Sequence, residues 1–327
     1  MPTDRVFLTG ASGFVGSHIL RELLNAGYSV RALARDRHPE VSKDPEPFVK
    51  LRTGFVEGRS DKLEIVAGDL TRVGDFARSL EGCRYVVHCA ALYSFAPRDR
   101  AAMEKTNVRG TAGLMEAARV AGVERVVLTS STGTLHESHS AYHRSKVLQE
   151  RAAFAGRVPV VALLPSAPVG PGDWKPTPTG KLVLDFTCGR IFVKPPHGGL
   201  NMVPVEDVAR AHVTALERGR PGERYILGGE DLTFDRVWEL LSAVTGRPLP
   251  RGRIPYPLLI AIASVDEVRS RLFRADPLIP LEGVRLSREL MYADSTKAAR
   301  ELDFHPGSVK AALERAVEWY RAHGYCS

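Results

Sequence analysis

The first 25 residues hold a short apolar run, a glycine-rich turn and a helical pattern, in that order. Arg5 to Thr9 reads RVFLT, which is typical of a buried strand. From Phe14 to Asn25, apolar side chains recur at helical spacing. Glycines at three-residue intervals between them allow a tight turn, close approach of the backbone to a phosphate, and close packing of helix on strand. This context predicts a dinucleotide-binding loop, in which we expect the cofactor to contact Gly10, Ser12, Gly13, Phe14, Val15 and Gly16.

Short apolar runs recur along the first half of the chain, with helical patterns at 101–121 and 141–154 between some of them. Runs that are apolar throughout, rather than alternating, are typical of parallel strands buried on both faces. We therefore predict an α/β fold with a Rossmann-type, doubly wound parallel sheet. The predicted strands are 5–9, 28–34, 64–67, 85–89, 125–129 and 159–164.

The composition changes after Pro165, where a stretch rich in proline and glycine extends to residue 180. Such a stretch is typical of a domain transition. We predict a nucleotide-binding domain over residues 1–165 and a smaller α/β, substrate-binding part over 166–200 and 219–327. The runs 225–227, 234–244 and 308–322 are assigned to the smaller part, and 201–205 with 206–217 reads as one more strand and helix.

The end of the second predicted strand indicates which nicotinamide cofactor the loop would bind. An acidic residue there binds the free ribose 2′-hydroxyl of NAD, whereas an arginine accepts the 2′-phosphate of NADP. Arg35, with Arg37 near it, favours NADP, and Asp36 keeps NAD open. The alternative is that these arginines are merely solvated on an exposed loop.

Two further segments follow strands at their carboxyl ends, which is where ligands of open sheets bind. Asp69 and Leu70 come after the third strand, and Asp69 suits the adenine amine. Ala90 and Ala91 come after the fourth strand, where small side chains let a cofactor pass closely. We predict that all four residues contact the cofactor.

A tyrosine and a lysine stand one helical turn apart in the pattern Tyr142-x-x-x-Lys146. Ser131 lies just beyond the fifth strand, on the same rim as the glycine loop. A nearby ammonium and a cationic nicotinamide would lower the pKa of Tyr142, which could then exchange a proton with an oxygen held by Ser131. Asn107, inside the preceding helix, would support a water-borne proton path. The alternatives are a surface pair and a polar residue tolerated within a helix.

Charge and apolar content exclude several classes of protein. Lysine and arginine number 45 against 38 acidic residues, which gives a net charge of +7. No basic block stands out, so we predict an anionic cofactor and no nucleic-acid partner.

No run approaches the roughly 18 apolar residues of a membrane span, which predicts no integral membrane segment. The N-terminus lacks an export pattern, which predicts the cytoplasm. The 4 cysteines show no metal-ligand spacing, so we predict free thiols and no metal site.

Six of these features follow one another along the chain. They are the glycine loop, Gly68-Asp69-Leu70, the HCAA segment 88–91, Asn107, the TSS segment 129–131 and Tyr142-x-x-x-Lys146. In this combination the chain resembles the extended branch of the short-chain dehydrogenase/reductase superfamily, in particular its dihydroflavonol-4-reductase-like proteins. Residues 175–180 and 224–229 are similar to the hopanoid-associated "sugar epimerase" subgroup. The resemblance implies that residues 201–218 return to the nucleotide domain, that Pro165 contacts the cofactor, and that a homodimer is possible.

Three readings of the function stay open. The first is an NAD(P)H-dependent reductase of a ketone or aldehyde on a small apolar molecule, and the second is an NAD-dependent nucleotide-sugar epimerase or dehydratase. Arg35 counts against the second, as does Leu164, which stands where relatives commonly have asparagine. A non-enzymatic cofactor-binding protein is the third, and intact acid–base residues count against it. The predicted substrate contacts are Tyr93, His136, Trp174 and the apolar residues 258–262.

Overall fold

The computed structural model describes residues 4–35, 60–94, 96–135, 140–191, 193–194, 198–273, 277–279 and 281–326. Its strands are, in chain order, β1 (Arg5–Thr9), β2 (Ser29–Ala34), β3 (Leu63–Ala67), β4 (Tyr85–His88), β5 (Arg125–Thr129), β6 (Val160–Pro165), β7 (Ala167–Val169), β8 (Gly199–Pro204), β9 (Arg224–Leu227), β10 (Glu230–Thr233) and β11 (Leu290–Met291).

Seven of these strands form one parallel sheet in the order β3-β2-β1-β4-β5-β6-β9. The order reverses between β1 and β4, so the carboxyl ends of these two strands border the crevice where doubly wound sheets bind their ligands. The predicted Rossmann-type fold is therefore confirmed.

Helices cover both faces of this sheet, and alternate residues of β1 enter different cores. Val6 and Leu8 pack on the side of the first helix, whereas Phe7 packs on the other side with Leu114. Burial of both faces explains why β1 reads as apolar throughout. None of the described helices is long and apolar enough to cross a bilayer. They are α1 (Phe14–Asn25), α2 (Arg100–Met103), α3 (Gly110–Val120), α4 (Ala141–Phe154), α5 (Pro178–Thr187), α6 (Val205–Arg218), α7 (Phe234–Thr245), α8 (Tyr256–Phe273), α9 (Leu281–Leu286), α10 (Thr296–Leu302) and α11 (Val309–Ala322).

The helix predicted over 101–121 is interrupted by a π-helical segment, Glu104–Arg109, between α2 and α3. Asn107 lies inside this segment and is completely buried. Its side-chain oxygen accepts a hydrogen bond from the Leu92 N–H at 2.7 Å, and its amide nitrogen donates to the Leu92 carbonyl at 3.0 Å. The side chain thus holds the chain that leaves β4, and a local widening of this kind is common at functional sites.

A second, smaller sheet is built around β8, which pairs with β10 in antiparallel and with β7 and β11 in parallel. Two assignments from the sequence are corrected here. The strand at 201–205 belongs to this small sheet, and only the helix that follows it, α6, packs with α1 against the main sheet. Conversely, 225–227 belongs to the main sheet, because β9 pairs with β6. The neighbour of a strand in a sheet depends on contacts between residues far apart in the chain, and a local sequence pattern does not indicate these contacts.

The cysteines also differ from the prediction of free thiols. Cys188 and Cys326 form a disulfide across a sequence separation of 138 residues. They meet because α11 packs against α5, so that the end of the chain lies beside the end of α5. Cys83 and Cys89 are free. The prediction of free thiols is therefore wrong for Cys188 and Cys326 and agrees with the structure for Cys83 and Cys89.

Candidate active site

The glycine loop is closely packed against the end of β4. Gly10 has a positive φ of 79°, and a Cβ on it would lie 2.7 Å from the Ala90 nitrogen. A Cβ on Gly16 would lie 1.9 Å from the Gly10 carbonyl oxygen. The Gly13 N–H donates to the same oxygen at 2.9 Å. Side chains are excluded at these positions, which leaves the backbone before α1 open to a phosphate group and fits the predicted dinucleotide.

The far end of the crevice carries the groups that would meet the adenosine half of the cofactor. Arg35 is exposed directly after β2. Asp69 follows β3 and accepts a hydrogen bond from the Thr71 N–H at 2.7 Å. Burial disfavours its charged form, but the bonds from Thr71 and the charges of Arg35 and Arg72 outweigh burial and lower the pKa of Asp69. Asp69 and Arg35 therefore act on each other across neighbouring strands. Leu70 is buried, Ala91 is exposed, and Asp36 and Arg37 lie outside the described residues.

Ser131 lies just beyond β5 and caps a short 3₁₀ turn, Thr132–Thr134. Its hydroxyl oxygen accepts a hydrogen bond from the Gly133 N–H at 3.1 Å, and the residue is partly exposed. The hydroxyl proton remains available to a ligand oxygen. Ser130, by contrast, is buried and donates to Glu150, so Ser131 is the serine that suits a substrate contact.

Tyr142 lies in the first turn of α4, which begins after the cap residue Ser140. The ring centroid of Tyr93 is 4.3 Å from that of Tyr142, and Tyr93 is 42 % exposed. The predicted substrate residue Tyr93 is thus beside the predicted proton donor. Burial raises the pKa of Tyr142 above its usual value of 10, so the phenol carries its proton at neutral pH.

Lys146 is buried one turn further along α4, with 2 % of its surface exposed. Its ammonium donates to the Thr129 carbonyl at 2.8 Å and to the side-chain oxygen of Gln149. Burial lowers the pKa of Lys146 to about 8. Burial is the largest influence on the pKa of Tyr142 and raises it, and the expected lowering by Lys146 together with a cationic nicotinamide stays a prediction.

Asn107 is linked to the tyrosine turn through one intermediate side chain. Its amide nitrogen donates to the Ser145 hydroxyl at 3.0 Å, and that hydroxyl donates to the Tyr142 carbonyl at 2.7 Å. These bonds connect the π-helical segment to α4. Asn107 therefore supports the position of Tyr142 in the structure, and its part in a proton path stays a prediction.

The remaining predicted residues lie in different surroundings. Trp174 packs edge-on against Trp319 of α11, with ring centroids 4.7 Å apart, so its described ring contacts join it to the last helix. Pro165 ends β6 at the carboxyl edge of the sheet. Leu164 is completely buried within the same strand, which removes it from any ligand. His136 lies outside the described residues.

A buried polar network behind Lys146 was not predicted from the sequence. The His88 ring shares hydrogen bonds with Thr9 at 2.7 Å and Thr111 at 2.8 Å, and Gln149 lies 3.2 Å from both His88 and Thr111. Two signals pointed to it. His88 is a polar residue at the end of an apolar strand, and Gln149 stands three residues after Lys146 on the same helix.

Three buried histidines predict loss of stability in mild acid. Desolvation lowers the pKa of His88 to about 3 and that of His18 and His212 to about 4. Histidine in an unfolded chain has a pKa of about 6.5. As the pH falls toward and below this pKa, the unfolded chain binds protons that the buried histidines of the folded chain do not bind. The unfolding free energy should therefore fall from about pH 7 to about 5.5, by up to about 1.4 kcal/mol per pH unit for each histidine.

Urea unfolding at several pH values measures this slope. Asp173, whose pKa burial raises to about 6, opposes the effect in the same range. His212→Gln is the matched variant, since it removes one of the three groups and should reduce the slope. An unfolding free energy that stays constant from pH 7 to 5.5 would contradict the prediction.

The glycine loop at the switch point of a doubly wound sheet, with serine, tyrosine and lysine on the same edge, defines an oxidoreductase of the extended short-chain dehydrogenase/reductase class. A model of the "NAD dependent epimerase/dehydratase family" matches residues 6–228. The chain belongs to this family.

Named relatives match over nearly the whole chain. A Synechocystis protein whose name includes "dihydroflavonol 4-reductase" is 36 % identical, covering 98 % of this chain and 96 % of its own. The sterol demethylase protein B of Methylococcus capsulatus is 33 % identical, and the match covers 97 % of this chain and 98 % of that protein. The ceramide reductase of Caulobacter vibrioides is 28 % identical, covering 99 % and 98 %. The crystal structure of gox2253 superimposes with a TM-score of 0.81 at 33 % identity, covering 99 % and 100 %.

Proposed function

We propose that this protein is an NADPH-dependent reductase of a ketone or aldehyde group on a small apolar molecule. The observation that carries the proposal is that Tyr142, one helical turn before the buried Lys146, lies on the edge that also holds Ser131 and the glycine loop, with the Tyr93 ring 4.3 Å away. A phenol that keeps its proton at neutral pH is suited to act as the acid in a reduction.

Each side chain has a defined task in this reaction. A reduced nicotinamide bound at the glycine loop would supply a hydride to the carbonyl carbon. Tyr142 transfers its proton to the carbonyl oxygen, and Ser131 donates a hydrogen bond to the same oxygen. Lys146 supplies the positive charge behind them, held in place by Thr129 and Gln149.

NADPH is proposed over NADH because of the residue that follows β2. The exposed guanidinium of Arg35 suits a 2′-phosphate, and an arginine binds phosphate through paired donors. Asp69, which follows the neighbouring strand β3, is assigned to the adenine amine. The family description names NAD. A preference for NADP must therefore come from residues particular to this chain, such as Arg35.

An apolar substrate is proposed from the residues around the tyrosine. Tyr93 presents an exposed aromatic ring at 4.3 Å from the Tyr142 ring. The relatives named for a ceramide and a sterol agree with an apolar, lipid-like substrate. The second candidate, a nucleotide-sugar epimerase or dehydratase, is favoured by the family description. Against it, the buried Leu164 offers no polar group to a sugar nucleotide.

The test begins with denaturing the purified protein and identifying any nucleotide that is released. We expect an empty protein that binds NADPH at least about tenfold more tightly than NADH, a difference of about 1.4 kcal/mol. It should then consume NADPH when apolar ketones or aldehydes are added. Stoichiometric, tightly held NAD would instead favour the epimerase or dehydratase, since such enzymes return the hydride within each turnover.

A further inference from the structure

One face of α8 exposes a stripe of large apolar side chains. Apart from Phe273, which directly follows Leu272, they are spaced three or four residues apart, which places them on one side of the helix. The opposite side is buried against the protein through Ala263, Asp266 and Ser270. Thus α8 has its apolar side toward the surroundings, the reverse of an ordinary surface helix. The stripe consists of Leu258 (52 % exposed), Ile262 (40 %), Val265 (71 %), Val268 (57 %), Leu272 (75 %) and Phe273 (75 %).

One further large apolar side chain is exposed a few residues after the helix in sequence. Leu278, beyond the end of α8, is 74 % exposed. Single exposed apolar residues are normal, whereas a contiguous apolar patch marks a surface that binds another apolar surface. The sequence-based prediction that residues 258–262 line a substrate pocket is at odds with the outward position of Leu258 and Ile262.

The charges around the stripe favour an anionic partner. Residues 251–289 contain 7 arginines and 5 acidic residues. Two of these arginines are paired within the protein, Arg269 with Asp266 and Arg253 with Asp235, each at 2.7 Å. Arg251, Arg285 and Arg288 are exposed. A helix with an exposed apolar face and arginines around it is typical of helices that lie in the interface of an anionic membrane.

The stripe is also close to the mouth of the candidate active site. Helix α9 packs against α8. Its Glu282 interacts with Ser140, the cap residue of the helix that carries Tyr142, and with Tyr93. A surface that held α8 would therefore face the region from which a substrate reaches Tyr142.

We propose that the apolar stripe of α8 docks on an anionic lipid bilayer and presents the active-site mouth to a substrate held in the membrane. The location of the substrate rests on the proposed reductase function, whereas the docking itself does not. A second copy of the chain fits the stripe less well. A symmetric contact through the stripe would bury its apolar residues but would leave the exposed Arg251, Arg285 and Arg288 without an anionic partner.

The experiment is co-sedimentation of the full-length protein with vesicles. One set contains phosphatidylglycerol and phosphatidylcholine, and the control set contains phosphatidylcholine alone. We expect binding to the anionic vesicles that weakens as salt is added, because salt screens surface charge. The double variant V265E/L272E should bind at least about tenfold more weakly, since it places carboxylates in the apolar stripe.

Val120→Glu is the matched control, because Val120 is 72 % exposed at the end of α3 and outside the stripe. It should bind vesicles like the wild type. Absence of vesicle binding, or equal binding by V265E/L272E and wild type, would overturn the proposal. So would a dimer in light scattering that only V265E/L272E dissociates, because the stripe would then be a contact between copies. Turnover of a water-soluble carbonyl compound, measured without vesicles, tests the reductase function separately.

Discussion

Replacing Tyr142 with phenylalanine is expected to lower kcat by about 10²–10⁴-fold and to leave NADPH binding nearly unchanged. The variant loses the proton that completes reduction of the carbonyl, but it keeps the ring. Packing against Tyr93, whose centroid is 4.3 Å away, is therefore preserved. Steady-state kinetics with an accepted carbonyl compound, together with NADPH titration of the variant, measure the two quantities.

Tyr93→Phe is the matched control for this loss. It removes the same hydroxyl group from the neighbouring ring, which we place in substrate contact rather than proton transfer. We expect its main effect on KM and less than about a tenfold change in kcat. A Tyr142→Phe enzyme that retains more than about a tenth of wild-type kcat would contradict the assigned role of the phenol.

Gly16→Ala is expected to abolish tight NADPH binding and to destabilise the fold by about 1–3 kcal/mol. The added Cβ would lie 1.9 Å from the Gly10 carbonyl oxygen, which belongs to the backbone and cannot rotate away. Either the glycine loop or the start of α1 must move. Both elements form the proposed phosphate site, so its geometry is lost along with packing energy. Fluorescence titration with NADPH and urea unfolding measure the two effects.

Gly74→Ala provides the comparison for this substitution. A Cβ on Gly74 would meet no atom within 4 Å, so the alanine enters open space. Its unfolding free energy should stay within about 0.5 kcal/mol of wild type, and its NADPH affinity should not change. If Gly16→Ala behaved like Gly74→Ala, the close packing of the glycine loop would not be required for cofactor binding.

Several elements could be predicted from the sequence to the residue. The bounds of β1, β5, α1 and α4 agree with the predicted ones. Each has a local signal at its ends, with helical spacing inside α1 and an apolar run inside β1 and β5. Ser140, for example, accepts a hydrogen bond from the His143 N–H at 3.2 Å at the start of α4. Such signals act within a few residues of each other and are therefore readable from the order of residues.

The errors concern contacts between distant parts of the chain. Pairing of β9 with β6 and the bond between Cys188 and Cys326 both depend on how helices and sheets pack, since each joins residues far apart in sequence. The surroundings of Tyr142 also depend on folding. The pattern Tyr142-x-x-x-Lys146 predicts a lysine one helical turn away, but only the packed chain shows that the phenol is buried and that burial raises its pKa.

The sequence by itself determined the class of fold and the residue types at the site. Glycines that exclude side chains, strands that are apolar on both faces, and one helical turn between tyrosine and lysine are all local patterns. The tertiary structure alone decided what surrounds these residues. Gln149 holds Lys146, Asn107 holds the chain after β4, and the apolar side of α8 faces outward. Burial and hydrogen-bond partners are properties of the packed chain, because they depend on residues brought together only by folding.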